Sequence, residues 1–276
     1  MKRIELVKNQ LSSVGISKNL VKISNAYPDN NAVKIVKMDS PPMNVLGKDL
    51  ASQIVDTILK LNNEDETKVI ILTGNEKVFA AGADIKHFSK QNFVNMINDD
   101  YLVLLEDLYY KVDKPIIAAI NGYAYGGGFE LALCCDIIIA SDKAKLGFPE
   151  LKLGLFPGAG GTQRMAKLVG YQKAAEYVLT AKEIDPIELK QMGVVNQVVP
   201  SDKVMDSAIE MAKSIAKFSS VSVKQAKKAI RMSLETNLYP GLKAEKYLFQ
   251  GIFNSEDKKI GIDAFINKKE PKFVDK

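Results

Sequence analysis

Three short apolar runs in this chain are rich in isoleucine and bounded by turn signals: Val69-Ile70-Ile71-Leu72, Ile116-Ile117-Ala118-Ala119-Ile120 and Ile137-Ile138-Ile139-Ala140. They are too short for helices, and their lack of alternation predicts strands buried on both faces. Thr73-Gly74, Pro115 and Asn121-Gly122 supply the turn signals that bound them. Ahead of them, alternation over 33–38 predicts a strand, and the turn at Pro41-Pro42 leads into a helical pattern over 47–61. Residues 92–110 predict one or more helices. Gly126-Gly127-Gly128 then passes into good helix formers through Leu133, giving a strand, turn, helix, strand succession. Beyond the glycine-rich turn at Gly158 to Gly161 the chain reads as helix over about 162–169, 171–179, 186–192, 202–216, 221–235 and 240–251. Strands dominate the first two-thirds and helices the last third, which predicts an α/β core with a helical C-terminal subdomain. The sequence shows no internal repeat and no low-complexity tract.

With 276 residues, 46% of them hydrophobic, the chain can fill a substantial core. It has no apolar stretch of the roughly 18 residues that a membrane span needs, and its N-terminus lacks the apolar centre of a secretory signal. A soluble, cytoplasmic protein is expected. Residues 1 to 20 are polar and broken by Ser12, Ser13, Gly15 and Ser17, and read as a flexible extension. The net charge of +5 comes from lysines interspersed with acids, as in Lys224, Lys227 and Lys228 followed by Glu235, and reads as a solvated face. Neither zinc-finger spacing nor an aromatic RNA-binding signature is present, so no specific nucleic-acid partner is expected. Cys134 and Cys135 are adjacent in an apolar run and read as reduced core residues. With His87 the sole histidine, neither a zinc site nor a Ser-His-Asp triad is supported. Acid-base chemistry would have to come mainly from carboxylates, lysines, tyrosines and backbone amides.

Two loops and two glutamates stand out. Three glycines before a helix permit close approach of a ligand to free N–H groups at the positive end of the helix dipole, and equally suit a tight turn packed on the sheet. The loop Phe79-Ala80-Ala81-Gly82-Ala83-Asp84-Ile85-Lys86 has small residues after a strand and reads either as a second source of such an amide or as a plain connection. Glu130 lies in the first turn of the glycine-led helix and Glu150 follows Phe148-Pro149. Each has an ordinary reading alone, as a dipole partner or a solvated side chain. As a pair facing one water they could divide proton removal from proton delivery.

These segments, with Asn121-Gly122-Tyr123-Ala124-Tyr125-Gly126-Gly127-Gly128-Phe129-Glu130-Leu131-Ala132 and Pro157-Gly158-Ala159-Gly160-Gly161-Thr162, resemble in order and spacing the signatures of the crotonase, or enoyl-CoA hydratase/isomerase, superfamily. The resemblance runs from about residue 20 to the C-terminus. It implies a spiral of repeated ββα units over 21–200 and a helical trimerisation subdomain over 201–276. It also implies an oxyanion hole formed by the amides of Ala83 and Gly127, and acid-base roles for Glu130 and Glu150. The implied reaction is reversible addition of water to trans-2-enoyl-CoA, in fatty-acid β-oxidation or short-chain acyl-CoA metabolism. An isomerase or specialised acyl-CoA hydratase on the same fold is the alternative, and an RNA-binding protein on that scaffold a remote one. No metal and no cofactor is implied, since CoA is part of the substrate. Substrate contacts are implied for Ala81, Asp84, Ile85 and Lys86, the last near the nucleotide, and for Phe265 and Lys268 reaching a neighbouring subunit's ligand. Phe88, Phe93, Met96 and Ile97 are candidates for the acyl pocket, with core packing the plainer role for each. A homotrimer or a dimer of trimers is the implied assembly.

Overall fold

The computed structural model describes residues 18–28, 30–99, 101 and 103–276. The apolar runs become the centre of a six-stranded sheet, in the order β1 (Val21–Tyr27), β2 (Asn30–Met38), β3 (Val69–Thr73), β5 (Ile116–Ile120), β7 (Ile137–Ser141) and β10 (Gln197–Val199). The β1–β2 pair is antiparallel and the remaining neighbours are parallel. A four-stranded sheet runs β4 (Val78–Ala80), β6 (Tyr123–Tyr125), β8 (Lys145–Gly147) and β9 (Glu183–Ile184).

The two sheets are laid down together. In each successive pair β3–β4, β5–β6 and β7–β8, the first strand joins the large sheet and the second joins the small one, and helical segments follow. The repeated ββα spiral is therefore present, although the sequence displays no repeat. Strands β4, β6 and β8 have three residues each, too few to leave a period-two pattern.

Helix α1 (Lys48–Asn62) turns Leu50, Ile54, Ile58 and Leu61 toward one face of the large sheet. Alternate residues of β5 explain why its sequence is uniformly apolar. Ile116, Ala118 and Ile120 join the cluster on the α1 side, while Ile117 and Ala119 join a second cluster on the other face. After the short α2 (Ile85–Phe88), α3 (Phe93–Asn98) and α4 (Val103–Tyr110) come α5 (Gly127–Leu133), α6 (Gly161–Val169), α7 (Tyr171–Thr180) and α8 (Pro186–Gln191). Helix α9 (Val204–Ala216) closes the second face with Val204, Ala208 and Ala212. The first helix after residue 200 is thus an integral part of the sheet packing. Each large aliphatic side chain buried this way contributes about 1.5–3 kcal/mol.

Helices α10 (Ser220–Met232), α11 (Leu238–Gly251) and α12 (Glu256–Ile266) complete the described chain. Among the described residues no helix is long and apolar enough to cross a membrane. The first seventeen residues of the expected flexible extension lie outside the description. At its end, Leu20 is pinned, donating to Gln53 Oε1 at 2.8 Å and accepting from the Asp39 N–H at 2.8 Å.

The solvated reading of Lys227 is corrected by the structure. Its side chain is only 7% exposed, and Nζ donates to the Lys114 carbonyl at 2.7 Å and to Asp136 Oδ2 at 2.6 Å. The same Asp136 oxygen accepts the Ile116 N–H at 2.7 Å, so this lysine ties α10 to the entry of β5. Lys224 is half-buried and Lys228 exposed, as helical periodicity separates the three. A lone lysine facing inward among solvated ones leaves no compositional trace. Cys134 and Cys135 are free, Cys134 buried and Cys135 half-buried. Replacing Lys227 with Ala leaves Asp136 and the Lys114 carbonyl without their cation, and is expected to cost about 3 kcal/mol of folding stability, read from the urea midpoint. An unchanged midpoint would show that the clamp carries no net stability.

Candidate active site

The site forms where α5 begins. Gly128 presses against β4 so closely that a Cβ there would lie 2.0 Å from the Ala80 carbonyl oxygen. Any side chain would force the helix off the strand. Gly126, at φ 52°, makes the turn into the helix. A Cβ at that position would meet Glu150 Oε1 at 2.5 Å, so the glycine admits both the turn and the carboxylate.

The loop after β4 is held against the same helix end. Leu46 donates to the Gly82 carbonyl at 2.8 Å, and Leu46 and Ala83 form an isolated parallel bridge. Ala81 is tied down through its N–H to the Met43 carbonyl at 3.1 Å. A Cβ built on Gly127 would lie 3.7 Å from the Ala83 nitrogen, so the two backbone segments adjoin. Among the described residues no backbone carbonyl accepts from the Ala83 or Gly127 N–H. Gly127 is the first residue of α5 and has no carbonyl one turn earlier to bond.

Glu130 lies one turn along α5 and is 2% exposed. Its Oε1 accepts from the Ala159 N–H at 2.8 Å and the Gly161 N–H at 2.7 Å. Burial pushes its carboxyl above the usual range, and these two amides pull against that shift. Glu150 opens a 3-10 turn over Glu150–Leu153. Its Oε2 is buried with no hydrogen-bond partner among the described residues. Burial raises this carboxyl to about 7, with the Glu130 charge adding to the rise and a backbone N–H opposing it. The two carboxylates are thus unlike: one is an acceptor for two amides, and the other is poised to hold a proton near neutrality.

Beside the Ala83 and Gly127 amides is a small apolar cavity of about 20 Å³, lined by Leu46, Ala51, Ala83, Tyr101, Leu105, Gly127 and Ala159. Of the four residues considered for the acyl pocket, none lines it. Phe93 and Ile97 are 80% and 61% exposed, and Phe88 and Met96 are half-buried. Tyr101 and Leu105 line the cavity instead, and their i, i+4 apolar spacing is the signal that points to them. His87 stands beside Tyr101 at 6.2 Å between ring centres and faces Gln91.

The remaining sequence candidates divide. Asp84 caps α2, its Oδ1 accepting from the N–H groups of Lys86 and His87 at 2.9 and 3.1 Å. Ile85 and Lys86 are exposed at the edge of that loop. Phe265 is 84% exposed on α12, and Lys268 follows that helix with φ 53°. Neither Phe265 nor Lys268 lines the cavity.

The sequence profile of the enoyl-CoA hydratase/isomerase family matches residues 28–276. A probable mitochondrial enoyl-CoA hydratase of Dictyostelium discoideum is 42% identical over 245 residues, 88% of each chain. A probable enoyl-CoA hydratase of Rhizobium meliloti is 41% identical over 243 residues, covering 87% of this chain and 94% of the relative. The crystal structure of an enoyl-CoA hydratase from Bacillus anthracis superposes with a TM-score of 0.87 at 34% identity, over 93% of this chain and all of that one. Sequence and fold agree with the local geometry of the site: the chain belongs to the enoyl-CoA hydratase/isomerase family.

Proposed function

We propose that the protein is an enoyl-CoA hydratase, a hydro-lyase that adds water reversibly across the double bond of a trans-2-enoyl-CoA. The observation that carries this reading is the pair of unlike glutamates, Glu130 buried and Glu150 half-buried, beside two backbone amides that no carbonyl engages among the described residues. An isomerase needs to move one proton along a chain, whereas hydration needs a proton taken from water and another given to carbon.

In this reading the thioester carbonyl accepts from the Ala83 and Gly127 N–H groups, which draws electron density toward oxygen and leaves Cβ electrophilic. Each such donor is worth about a hundredfold or more in rate, because its strength is spent on charge that develops in the transition state. Glu130, kept an acceptor by the Ala159 and Gly161 amides, takes a proton from the attacking water. The hydroxyl bonds to Cβ and the electron pair of the double bond moves to the enolate. Glu150, which holds its proton up to about pH 7, delivers it to Cα. Exchange of the proton from Glu130 back to Glu150, directly or through solvent, resets the pair. Water and the substrate are the only reactants, and CoA enters as part of the substrate.

The finer parts of the reading are also proposals. The loop residues Ala81, Asp84, Ile85 and Lys86 border the CoA portion, with Phe265 and Lys268 completing the ligand site of an adjoining subunit. Exposed apolar side chains on α11 and α12, including Leu238, Tyr247, Phe249 and Phe265, favour a C-terminal assembly surface. The proposed state is a homohexamer in the cytoplasm, serving fatty-acid β-oxidation or short-chain acyl-CoA metabolism. Light scattering on the eluting protein is expected to give six times the 30.4 kDa chain mass, and a monomer mass would remove the shared-site part of the proposal.

Glu130→Gln and Glu150→Gln are each expected to fold and bind acyl-CoA while losing roughly a hundredfold or more in kcat/KM for crotonyl-CoA, followed by loss of absorbance of the conjugated thioester. The wild-type kcat/KM, which reports the free enzyme, is expected to fall on the alkaline side with a midpoint near pH 7. The sign follows from the role: a donor must carry its proton, and the protonated fraction falls as pH rises through that value. A rate that climbs through the same pH would make Glu150 the base.

A further inference from the structure

Glu130 takes both of its amide hydrogen bonds from the turn Ala159-Gly160-Gly161, and one side chain of the following helix holds that turn. Arg164, one turn into α6, reaches back over Gly160. Its Nη1 donates to the Ala159 carbonyl at 3.0 Å, and its backbone N–H donates to the Gly160 carbonyl at 2.8 Å. A Cβ at Gly160, where φ is 104°, would lie 2.0 Å from Nη1, so the guanidinium occupies the place a side chain there would take. In a trans peptide the carbonyl and the next N–H point opposite ways. With the Gly160 carbonyl held by Arg164, the Gly161 N–H is turned to Glu130 Oε1, where it donates at 2.7 Å. The bond to the Ala159 carbonyl fixes the neighbouring peptide plane, and the Ala159 N–H meets the same carboxylate oxygen at 2.8 Å.

The guanidinium is itself seated. It lies 5.0 Å from the centre of the Tyr109 ring on α4, which also takes Arg231 at 4.7 Å, and Arg231 is fixed by its bond to the Val112 carbonyl at 3.1 Å. Its charge acts together with its bonds. The Arg164 cation favours the ionised form of Glu130 against the effect of burial, and it bears in the same way on the Cys134 thiol. The other titratable and charged groups around this point are Glu150 on its 3-10 turn, Cys134 on α5, Glu106 on α4, Lys167 on α6, and Arg231 with Glu235 beside Tyr109.

We propose that Arg164 is a positioning residue for the catalytic base: its guanidinium, seated on Tyr109, holds the Ala159-Gly160-Gly161 turn so that two amides meet Glu130 Oε1 and the carboxylate stays ready to accept a proton. The assignment rests on the hydratase reading for the chemistry that Glu130 performs, and deepens it by naming the group that stands behind the base. Arg164 acts through the turn and through its charge, and takes no part in proton transfer.

The test follows crotonyl-CoA hydration against pH for wild type, Arg164→Gln and Arg164→Lys. A base must be ionised, so kcat/KM rises with pH on the acid side as Glu130 loses its proton. Removing the cation makes that proton harder to lose, and Arg164→Gln is expected to move the acid limb upward by about one pH unit. The same variant should lower kcat by about tenfold near pH 6 while KM for crotonyl-CoA stays within about twofold. Arg164→Lys, which keeps the charge without the planar fork, should return the limb most of the way to wild type. A merely structural role would lower the rate at every pH and leave the midpoint in place. An unmoved acid limb in folded Arg164→Gln, or a raised KM with kcat unchanged, overturns the assignment, and Arg164→Met decides in the same way if the glutamine variant does not fold. Infrared difference spectra across pH, following the protonated carboxyl band that Glu130→Gln removes, give the Glu130 midpoint without turnover. A wild type that hydrates no enoyl-CoA, while that midpoint still moves upward in Arg164→Gln, would sink the hydratase reading and leave the role of Arg164 standing.

Discussion

The start of α5 lies against β4 at a distance only a glycine permits, and the site is assembled around that contact. A Cβ at Gly128 would sit 2.0 Å from the Ala80 carbonyl oxygen, well inside van der Waals contact. Because the helix can seat there, the free Gly127 N–H comes beside the loop that carries Ala83, and Glu130 is carried one turn inward to the Ala159 and Gly161 amides. The sheet behind makes the arrangement stiff. Strand β5 is buried on both faces, between the α1 side and α9, so neither the turn after it nor the helix that follows has freedom to shift without disturbing a packed core.

The electrostatics follow from the same burial. Desolvation pushes both glutamates toward their neutral forms, and hydrogen bonding then separates them. Glu130 is compensated by two amides, whereas Glu150 has one oxygen with no partner among the described residues. Two titratable groups with environments that differ in this way suit opposite proton-transfer roles. Among the described residues, Glu150 Oε2 and the Tyr101 hydroxyl are buried without a hydrogen-bond partner, and native folds keep few such groups.

Much of this was legible in the residues. The apolar runs located β3, β5 and β7 because strands covered on both faces need no polar residue, and the glycines before Phe129 located the helix end at which Gly127 and Glu130 meet. Strands β4, β6 and β8 were not legible, since three residues carry no period. Nor was β1, whose sequence Val21-Lys22-Ile23-Ser24-Asn25-Ala26-Tyr27 is largely exposed and lies at the sheet edge. Lys227 and Tyr101 show the other limit. Each looks like its exposed or aromatic neighbours in sequence, and only tertiary packing turns one to Asp136 and the other into the cavity beside Ala83. Phe88, Phe93, Met96 and Ile97 had the right chemistry for an acyl pocket, but none of them lines the cavity beside Ala83.

The proposed hydration divides one molecule of water, hydroxyl to Cβ and a proton to Cα. It is tested most directly by incubating the protein with crotonyl-CoA in water labelled with oxygen-18 and, separately, in deuterium oxide, and locating the labels in the product by mass spectrometry and NMR. The expected product is 3-hydroxybutyryl-CoA with the heavy oxygen on Cβ and one deuteron on Cα, both strongly reduced in the Glu130→Gln and Glu150→Gln variants. Deuterium entering the acyl chain while no oxygen-18 is incorporated, with the double bond merely displaced, would contradict it.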